Sequence, residues 1–258
     1  PQDQASFVRV LGDGGQFGLR LTYAAQPHPG GLAQAFIIGH EFVGTDRVAL
    51  ALGATIFYGH GLPEYVRAAA DREEGATVFS YRVKDPERYG VVEFDGNGRA
   101  ISLEEKPANP RSSYAVTGLY FYDNDVLDIA ASLKPSPRGE LEITDTIQYL
   151  VDKGLNVKAT QLSGWWIDTG KMSDILEANR LVLDTFETRI LGEVDAASEV
   201  YNKVVIERGA KVVASIIRGP AIIGADTEIV NSYVGPFTSI DHHCVVECSE
   251  IEHSVVLD

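Results

Sequence analysis

Cysteine is nearly absent from this chain: Cys244 and Cys248 are the only two in 258 residues. Two thiols four positions apart cannot form the framework of a small disulfide-stapled domain. Cations are also scarce, 22 Lys and Arg against 37 Asp and Glu, which leaves a net charge of −15. Such a surface repels polyanions, so nucleic acid and anionic lipid are not expected partners, and a phosphate-bearing ligand must find local cations or a metal. No apolar run approaches the roughly 20 residues that span a bilayer. Nothing at the first residues resembles a signal peptide, so the expected setting is reducing and cytoplasmic. The chain opens on Pro1 rather than Met, which suggests truncation or processing.

Two textures divide what remains. From Ser6 to about Phe186, short β-rich runs alternate with amphipathic stretches, the pattern of a layered α/β domain. Strands are expected at Leu19–Ala24, Arg47–Leu52, Ala76–Val83, Gly90–Phe94, Ile101–Glu105 and Ala115–Tyr122. Helices are expected at Gly31–Phe42, Pro63–Asp71, Val126–Leu133, Thr144–Lys153 and Met172–Thr188. After Ile190 the helical period disappears and apolar residues recur every five or six positions. Ile206, Ile223 and Ile240 are 17 apart, as are Ser215, Ser232 and Ser249, and Ala210, Thr227 and Cys244. Three short strands per coil of about 17 residues is the signature of a hexapeptide-repeat parallel β-helix, in which each coil stacks its apolar residues on the coil below. A β-sandwich would alternate with period two. Cys244 then faces inward as a small residue. The expected domains are 1–189 and 190–258.

Three segments carry chemistry. Gln26-Pro27-His28-Pro29-Gly30-Gly31-Leu32 is a Gly-rich turn before a helix, able to present backbone N–H groups to a ligand, though such turns are equally common as plain structure. Glu105-Lys106-Pro107 follows a strand and sets a hydroxyl acceptor beside a point cation, an arrangement that is also frequent as a solvated surface pair. Trp165-Trp166-Ile167-Asp168-Thr169-Gly170 places Asp168 where it can ligate a metal or cap the next helix.

Taken together these and other stretches resemble the sugar nucleotidyltransferases, in their thymidylyltransferase branch. The matching runs are GLAQAF from Gly31, IFYGHGL from Ile56, RYGVVEFD from Arg88, EEKP from Glu104, YAVTGLYFYD from Tyr114, GELEITD from Gly139 and DTG at Asp168. The resemblance implies a Rossmann-like layered sheet whose first strands and Gly-rich signature loop lie upstream of Pro1, followed by a left-handed β-helix. It implies that dTTP and glucose 1-phosphate give dTDP-glucose and pyrophosphate, with Mg²⁺ as cofactor and a homo-oligomeric assembly. Gln26, Gly31 and Leu32 would bind the nucleotide; Gly90, Glu105 and Val116 the sugar; Lys106 the sugar phosphate; Asp168 the metal. The family's Gly-Asp-Asn stands here as Gly53-Ala54-Thr55, so Ala54 occupies the position of the second metal-binding carboxylate. A methyl group cannot ligate Mg²⁺, and the implied activity is expected to be impaired. Other readings are a non-catalytic nucleotide-sugar binder, a uridylyltransferase, and an acyltransferase site on the β-helix using His242 or His243 as base.

Overall fold

The computed structural model describes residues 4–59 and 61–257. Contacts divide the chain into two compact units, one running to Trp166 and one from Ile167. Among the described residues no helix is long and apolar enough to cross a membrane.

The first unit opens with three short helices, α1 (Gln4–Leu11), α2 (Gln34–Ile38) and α3 (His40–Val43). Strands β1 (Val48–Ala51) and β2 (Thr55–Tyr58) follow, then α4 (Leu62–Ala70), β3 (Ala76–Arg82), β4 (Gly90–Phe94), β5 (Ala100–Glu105) and β6 (Tyr114–Tyr122). Helices α5 (Val126–Ser132) and α6 (Ile143–Asp152) precede β7 (Val157–Gln161) and β8 (Trp165–Asp168), and β8 crosses into the second unit. The main sheet runs β5-β4-β6-β3-β7, with β1 also paired to β6. Residues Ala76–Ser80 of β3 are buried without alternation, as a central strand covered on both faces requires. The sheet packs against α5 and α6, whose Val126, Ala130, Ile143, Ile147 and Leu150 recur at helical spacing and are buried against Val78 and Val92.

Three expectations need correction. Leu19–Ala24 is not a strand. A strand needs a partner to take its backbone groups, and here Leu19 and Leu21 donate instead to the carbonyls of Gly14 and Asp13, folding the segment onto the preceding turn. The last helix, α7 (Met172–Asp184), stops short of Thr188: Thr185 closes it, its hydroxyl donating to the carbonyl of Val182 (2.7 Å). The expected helix Gly31–Phe42 is α2 and α3, broken at Gly39.

In the second unit α7 (Met172–Asp184) lies on a parallel β-solenoid of about four coils. The amide nitrogen of Asn179 donates to the carbonyl of Phe237 (2.9 Å), and Ser239 Oγ donates to Asn179 Oδ1 (2.5 Å). The three solenoid sheets stack strand on strand in the expected register: Ile206 on Ile223 on Ile240, Val212 on Ile229 on Val246, Ile217 on Val234 on Ile251. Ile206 and Ile223 are fully buried and Ile240 nearly so. The polar repeat has its own reason. The backbone N–H of Ser215, Ser232 and Ser249 donates to the Oγ of Ser198, Ser215 and Ser232, one coil away in each case (3.0, 3.0 and 3.1 Å). The Oγ atoms of Ser215, Ser232 and Ser249 each donate in turn to the carbonyl two residues earlier, and that of Ser198 donates to Asp195 Oδ1. A small side chain with a hydroxyl is what this corner needs. Cys244 packs against the core, as expected, and its N–H donates to Thr227 Oγ1 (3.1 Å).

Burying a branched aliphatic side chain contributes about 2 kcal/mol, and an unpaired carboxylate in its place costs several more. Ile223→Asp is therefore expected to abolish the cooperative unfolding of the solenoid followed by circular dichroism, whereas Ile223→Val should cost only about 1 kcal/mol.

Candidate active site

The ends of β4 and β5, the middle of β6 and the first turn of α6 meet at one point in the first unit. Gly90 and Glu105 are register partners across the β4–β5 pair. A Cβ on Gly90 would lie 2.7 Å from Thr144 Cγ2, 2.8 Å from Val116 Cγ2 and 3.1 Å from Glu105 Oε2. Three elements thus approach the β4 backbone so closely that only glycine fits. Gly90, Glu105 and Val116, far apart in sequence, come together at one point with Thr144.

Glu105 is the charged centre of that cluster. Its Oε2 accepts from Thr144 Oγ1 (3.3 Å), and its Oε1 lies 3.7 Å from Arg138 Nη1. The same guanidinium reaches Glu142 (3.2 Å) and Glu140 (3.3 Å). Glu142 is only 5% exposed and also accepts from Ser136 Oγ (2.8 Å). One cation therefore serves three carboxylates. Burial, and next the repulsion from Glu142, push the Glu105 carboxyl above the usual glutamate range, against the pull of Lys106, Thr144 and Arg138. A carboxylate so placed keeps lone pairs free and is an acceptor suited to ligand hydroxyls.

Lys106 follows at once, with an exposed side chain and the backbone in the left-handed region (φ 42°). That conformation is unfavourable for a side chain, and the hydrogen bond from its N–H to the carbonyl of Tyr89 (3.0 Å) holds it. The Gly-rich loop is tied to the same region. Gln26 Nε2 donates to the carbonyl of Gly31 (3.1 Å) and to Gln34 Oε1 (2.7 Å). Gly31, at φ 98°, lies so near Leu141 that a Cβ would meet its carbonyl oxygen at 2.3 Å. Leu141 donates to the carbonyl of Gly30 (2.8 Å) and accepts from the N–H of Ala33 (3.1 Å). Leu32, beside them, is 44% exposed.

The proposed metal positions are less complete. Ala54 sits in the turn between β1 and β2, exposed, with Thr55 Oγ1 bonded to the carbonyl of Leu52 (2.9 Å). Asp168, half-buried at the end of β8, belongs to the second unit. Among the described residues no group of three or more His, Cys, Asp or Glu side chains is arranged to hold a metal ion. On the solenoid, His242 Nδ1 is hydrogen-bonded to Asp241 Oδ1 (2.7 Å), and its ring lies 5.0 Å from that of His243.

Thr144, Glu142 and Arg138 are the residues that sequence reasoning did not single out. All three lie within or next to the run GELEITD, and the alternating charges Arg138, Glu140, Glu142 were the available signal. Glu142 before a helix reads as a favourable solvated charge at a positive helix end, which conceals its burial.

Known proteins resemble the chain over most of its length. Residues 1–185 match the sequence profile of the nucleotidyl transferase family. The chain is 44% identical over 250 residues to the glucose-1-phosphate thymidylyltransferase of Streptomyces griseus, an alignment covering 97% of this chain and 70% of that one. It is 55% identical over 183 residues to the glucose-1-phosphate thymidylyltransferase of Neisseria gonorrhoeae, covering 70% of this chain and 64% of that one. Among solved structures, a protein named as a glucose-1-phosphate thymidylyltransferase from Bacillus anthracis, crystallised with sucrose, superposes with a TM-score of 0.63 at 42% identity, covering 72% of this chain and 74% of that one. A UDP-glucose pyrophosphorylase crystallised with UDP-glucose superposes with a TM-score of 0.55 at 24% identity over 63% and 66% of the two chains, a likeness of fold.

Two outcomes test the geometry. Gly90→Ala forces a methyl group into Thr144 and Val116 and should destabilise the unit by about 1–3 kcal/mol in urea titrations. The raised Glu105 carboxyl means that its contribution to stability is full below the ordinary glutamate range and is lost as pH rises through the raised value. Glu105→Gln, which cannot ionise, should melt with the unmodified protein in acid and above it toward neutral pH; a pH-independent difference would contradict this.

Proposed function

The chain belongs to the nucleotidyl transferase family, and on that premise we propose that its α/β unit is the substrate-binding body of a glucose-1-phosphate thymidylyltransferase. The observation that carries the reading is the convergence of Gly90, Val116 and Thr144 around Glu105. In the reaction a phosphate oxygen of glucose 1-phosphate attacks the α-phosphorus of dTTP, the α–β bridging bond breaks, and pyrophosphate leaves with its electron pair. A protein serving such a displacement has mainly to position the reactants and balance charge.

In this assignment Glu105 accepts hydrogen bonds from glucose hydroxyls. Gly90 and Val116 line the sugar beside it, and Lys106 meets the sugar phosphate as a point cation. Gln26, Gly31 and Leu32 hold the base from the loop that Leu141 anchors. Discrimination of thymine from uracil rests on one methyl group, worth about 1 kcal/mol or slightly more. The catalytic part is assigned to 1–189 and the repeat part to 190–258.

The resident metal fits poorly. Asp168 offers one carboxylate, Ala54 offers a methyl group, and no other acidic cluster stands in among the described residues. A small hard cation that surrenders its hydration shell reluctantly needs more anionic oxygen than one side chain supplies. No step is therefore routed through Mg²⁺ here. Ala54 favours a second reading, in which the chain binds its ligands without turning them over.

Calorimetry should show glucose 1-phosphate binding weakened about 10- to 100-fold in Glu105→Ala, the loss of charge-assisted hydrogen bonds to the sugar; unchanged affinity would remove Glu105 from the site. Ala54→Asp should raise Mg²⁺-dependent pyrophosphate release from dTTP and glucose 1-phosphate by at least about tenfold. Equal rates with and without that change would show that the Ala54 position is immaterial.

A further inference from the structure

In a chain of net charge −15, cations gathered together without direct ion pairs call for an explanation. Arg47, Arg72, Arg99 and Lys158 gather on one flank of the first unit, by α4, the start of β3 and β7. Among the described residues none of the four forms an ion pair. The three arginines are anchored on backbone carbonyls: Arg47 Nη1 on Arg72 (3.0 Å), Arg72 Nε on Glu74 (2.9 Å), Arg72 Nη2 on Asn156 (2.8 Å) and Arg99 Nη2 on Gly154 (2.9 Å). Two of the carboxylates nearby are engaged with backbone N–H groups, Asp95 with Asn97 and Arg99, and Asp123 with Gly75 and Asp125, while Asp46, Asp71 and Glu74 border the same ground. Burial pulls the Arg72 guanidinium below its ordinary value, with Asp123 opposing. A guanidinium held rigidly by neutral carbonyls keeps its charge and its remaining donors for something else.

The ground beside these cations is hollow, and the sequence explains why. Ala49, Phe121, Thr77 and Lys158 form one register row across β1, β6, β3 and β7. Ala49 and Thr77 are small, and α4 ends in Ala68, Ala69 and Ala70, so helix and sheet leave the gap between them unfilled. Arg72 stands where three hollows adjoin. The first, about 370 Å³, also holds Arg47; the second, about 550 Å³, Lys158; the third, about 510 Å³, Arg99 and Lys158. Each is of a size that takes a small organic molecule. Thr77 lines the first two, is 2% exposed, and carries the one buried side-chain polar atom among the described residues that has no hydrogen-bond partner. Leaving a hydroxyl so placed unpaired is costly. Asp71 and Glu74 flank the second hollow and supply acceptors.

We propose that this groove is a second ligand site, separate from the Glu105 pocket, for a small phosphate monoester bearing hydroxyl groups. The phosphate rests on Arg72, Arg99 and Lys158, which present the planar and point cations that phosphate oxygens recognise. The hydroxylated body lies toward Thr77, with Asp71 and Glu74 accepting from its hydroxyls. None of these residues lines the sugar pocket, so occupancy of the two sites is independent in composition.

The experiment is a titration of the isotopically labelled chain, followed by nuclear magnetic resonance, with inorganic phosphate and separately with ribose 5-phosphate. The expected result is saturable movement of the Gly98 and Asn156 amides and of the Arg72 Nε–H signal with both probes. Ribose 5-phosphate should bind more tightly and also move Thr77. Lys158→Gln and Arg99→Gln, both at exposed positions, should leave the rest of the spectrum in place and weaken binding about 5- to 10-fold each. Movement that never saturates, movement confined to Gly90 and Lys106, equal affinity for the two probes, or affinities unchanged in both variants would overturn the proposal.

Discussion

Leu141 is the residue on which the candidate site hangs together. Its N–H holds the carbonyl of Gly30 and its carbonyl holds the N–H of Ala33, while Gly31 is pressed so near that no side chain could replace its hydrogen. One residue further on, Glu142 is buried between Ser136 and Arg138, and Thr144 reaches Glu105. The loop assigned to the nucleotide and the pocket assigned to the sugar are therefore parts of one backbone arrangement. A shift of the segment 139–144 would move both, which is how a fold couples the placement of two reactants whose mutual alignment sets the rate.

The charge layout of the α/β unit follows a related logic. Around Glu105 three carboxylates share one guanidinium, a setting that receives hydroxyls and disfavours additional negative charge except where Lys106 projects. On the flank of α4 the arrangement differs, with arginines bonded to carbonyls and two of the nearby acids, Asp95 and Asp123, bonded to amides. Both arrangements use backbone groups to hold a side-chain charge in place without neutralising it. The overall acidity of the chain makes each local field depend on such short-range pairing, because distant surface charges are screened within about a Debye length.

Much of this was legible in the sequence, and for identifiable reasons. The column Ile206, Ile223, Ile240 could be read because a solenoid repeats its packing problem once per coil, so the same residue solves it each time. Strands β3, β4, β5 and β6 could be read because buried β-branched and aromatic runs bounded by turn residues have few other uses. Gly90, Glu105 and Val116 were named through family likeness, and only the fold shows why residue 90 must be glycine. What could not be read was partnership. Leu19–Ala24 has the composition of a strand, yet its N–H groups turn back on Asp13 and Gly14; β7, by contrast, has a weak pattern, Val157-Lys158-Ala159-Thr160-Gln161, and is a strand because β3 lies beside it. The burial of Glu142 was hidden for the same reason: a position before a helix looks solvated until the neighbours that cover it are known. Ser198 begins the serine column but precedes the three serines that reveal the spacing, so its role emerges only from the hydrogen bond it accepts from Ser215.

That serine column also governs how a protein of this kind can change its length. The hydroxyls of Ser215 and Ser232 are each committed to the next coil through the N–H they accept and to their own coil through the carbonyl they serve. An insertion or deletion of one or two residues at this corner would leave a donor facing an acceptor on the wrong face, and the mismatch would pass to every later coil. Gain or loss of a whole coil leaves all the remaining bonds unchanged. The solenoid can therefore vary only in units of a coil, a quantised ruler whose extent is adjustable in its lineage and whose spacing is not.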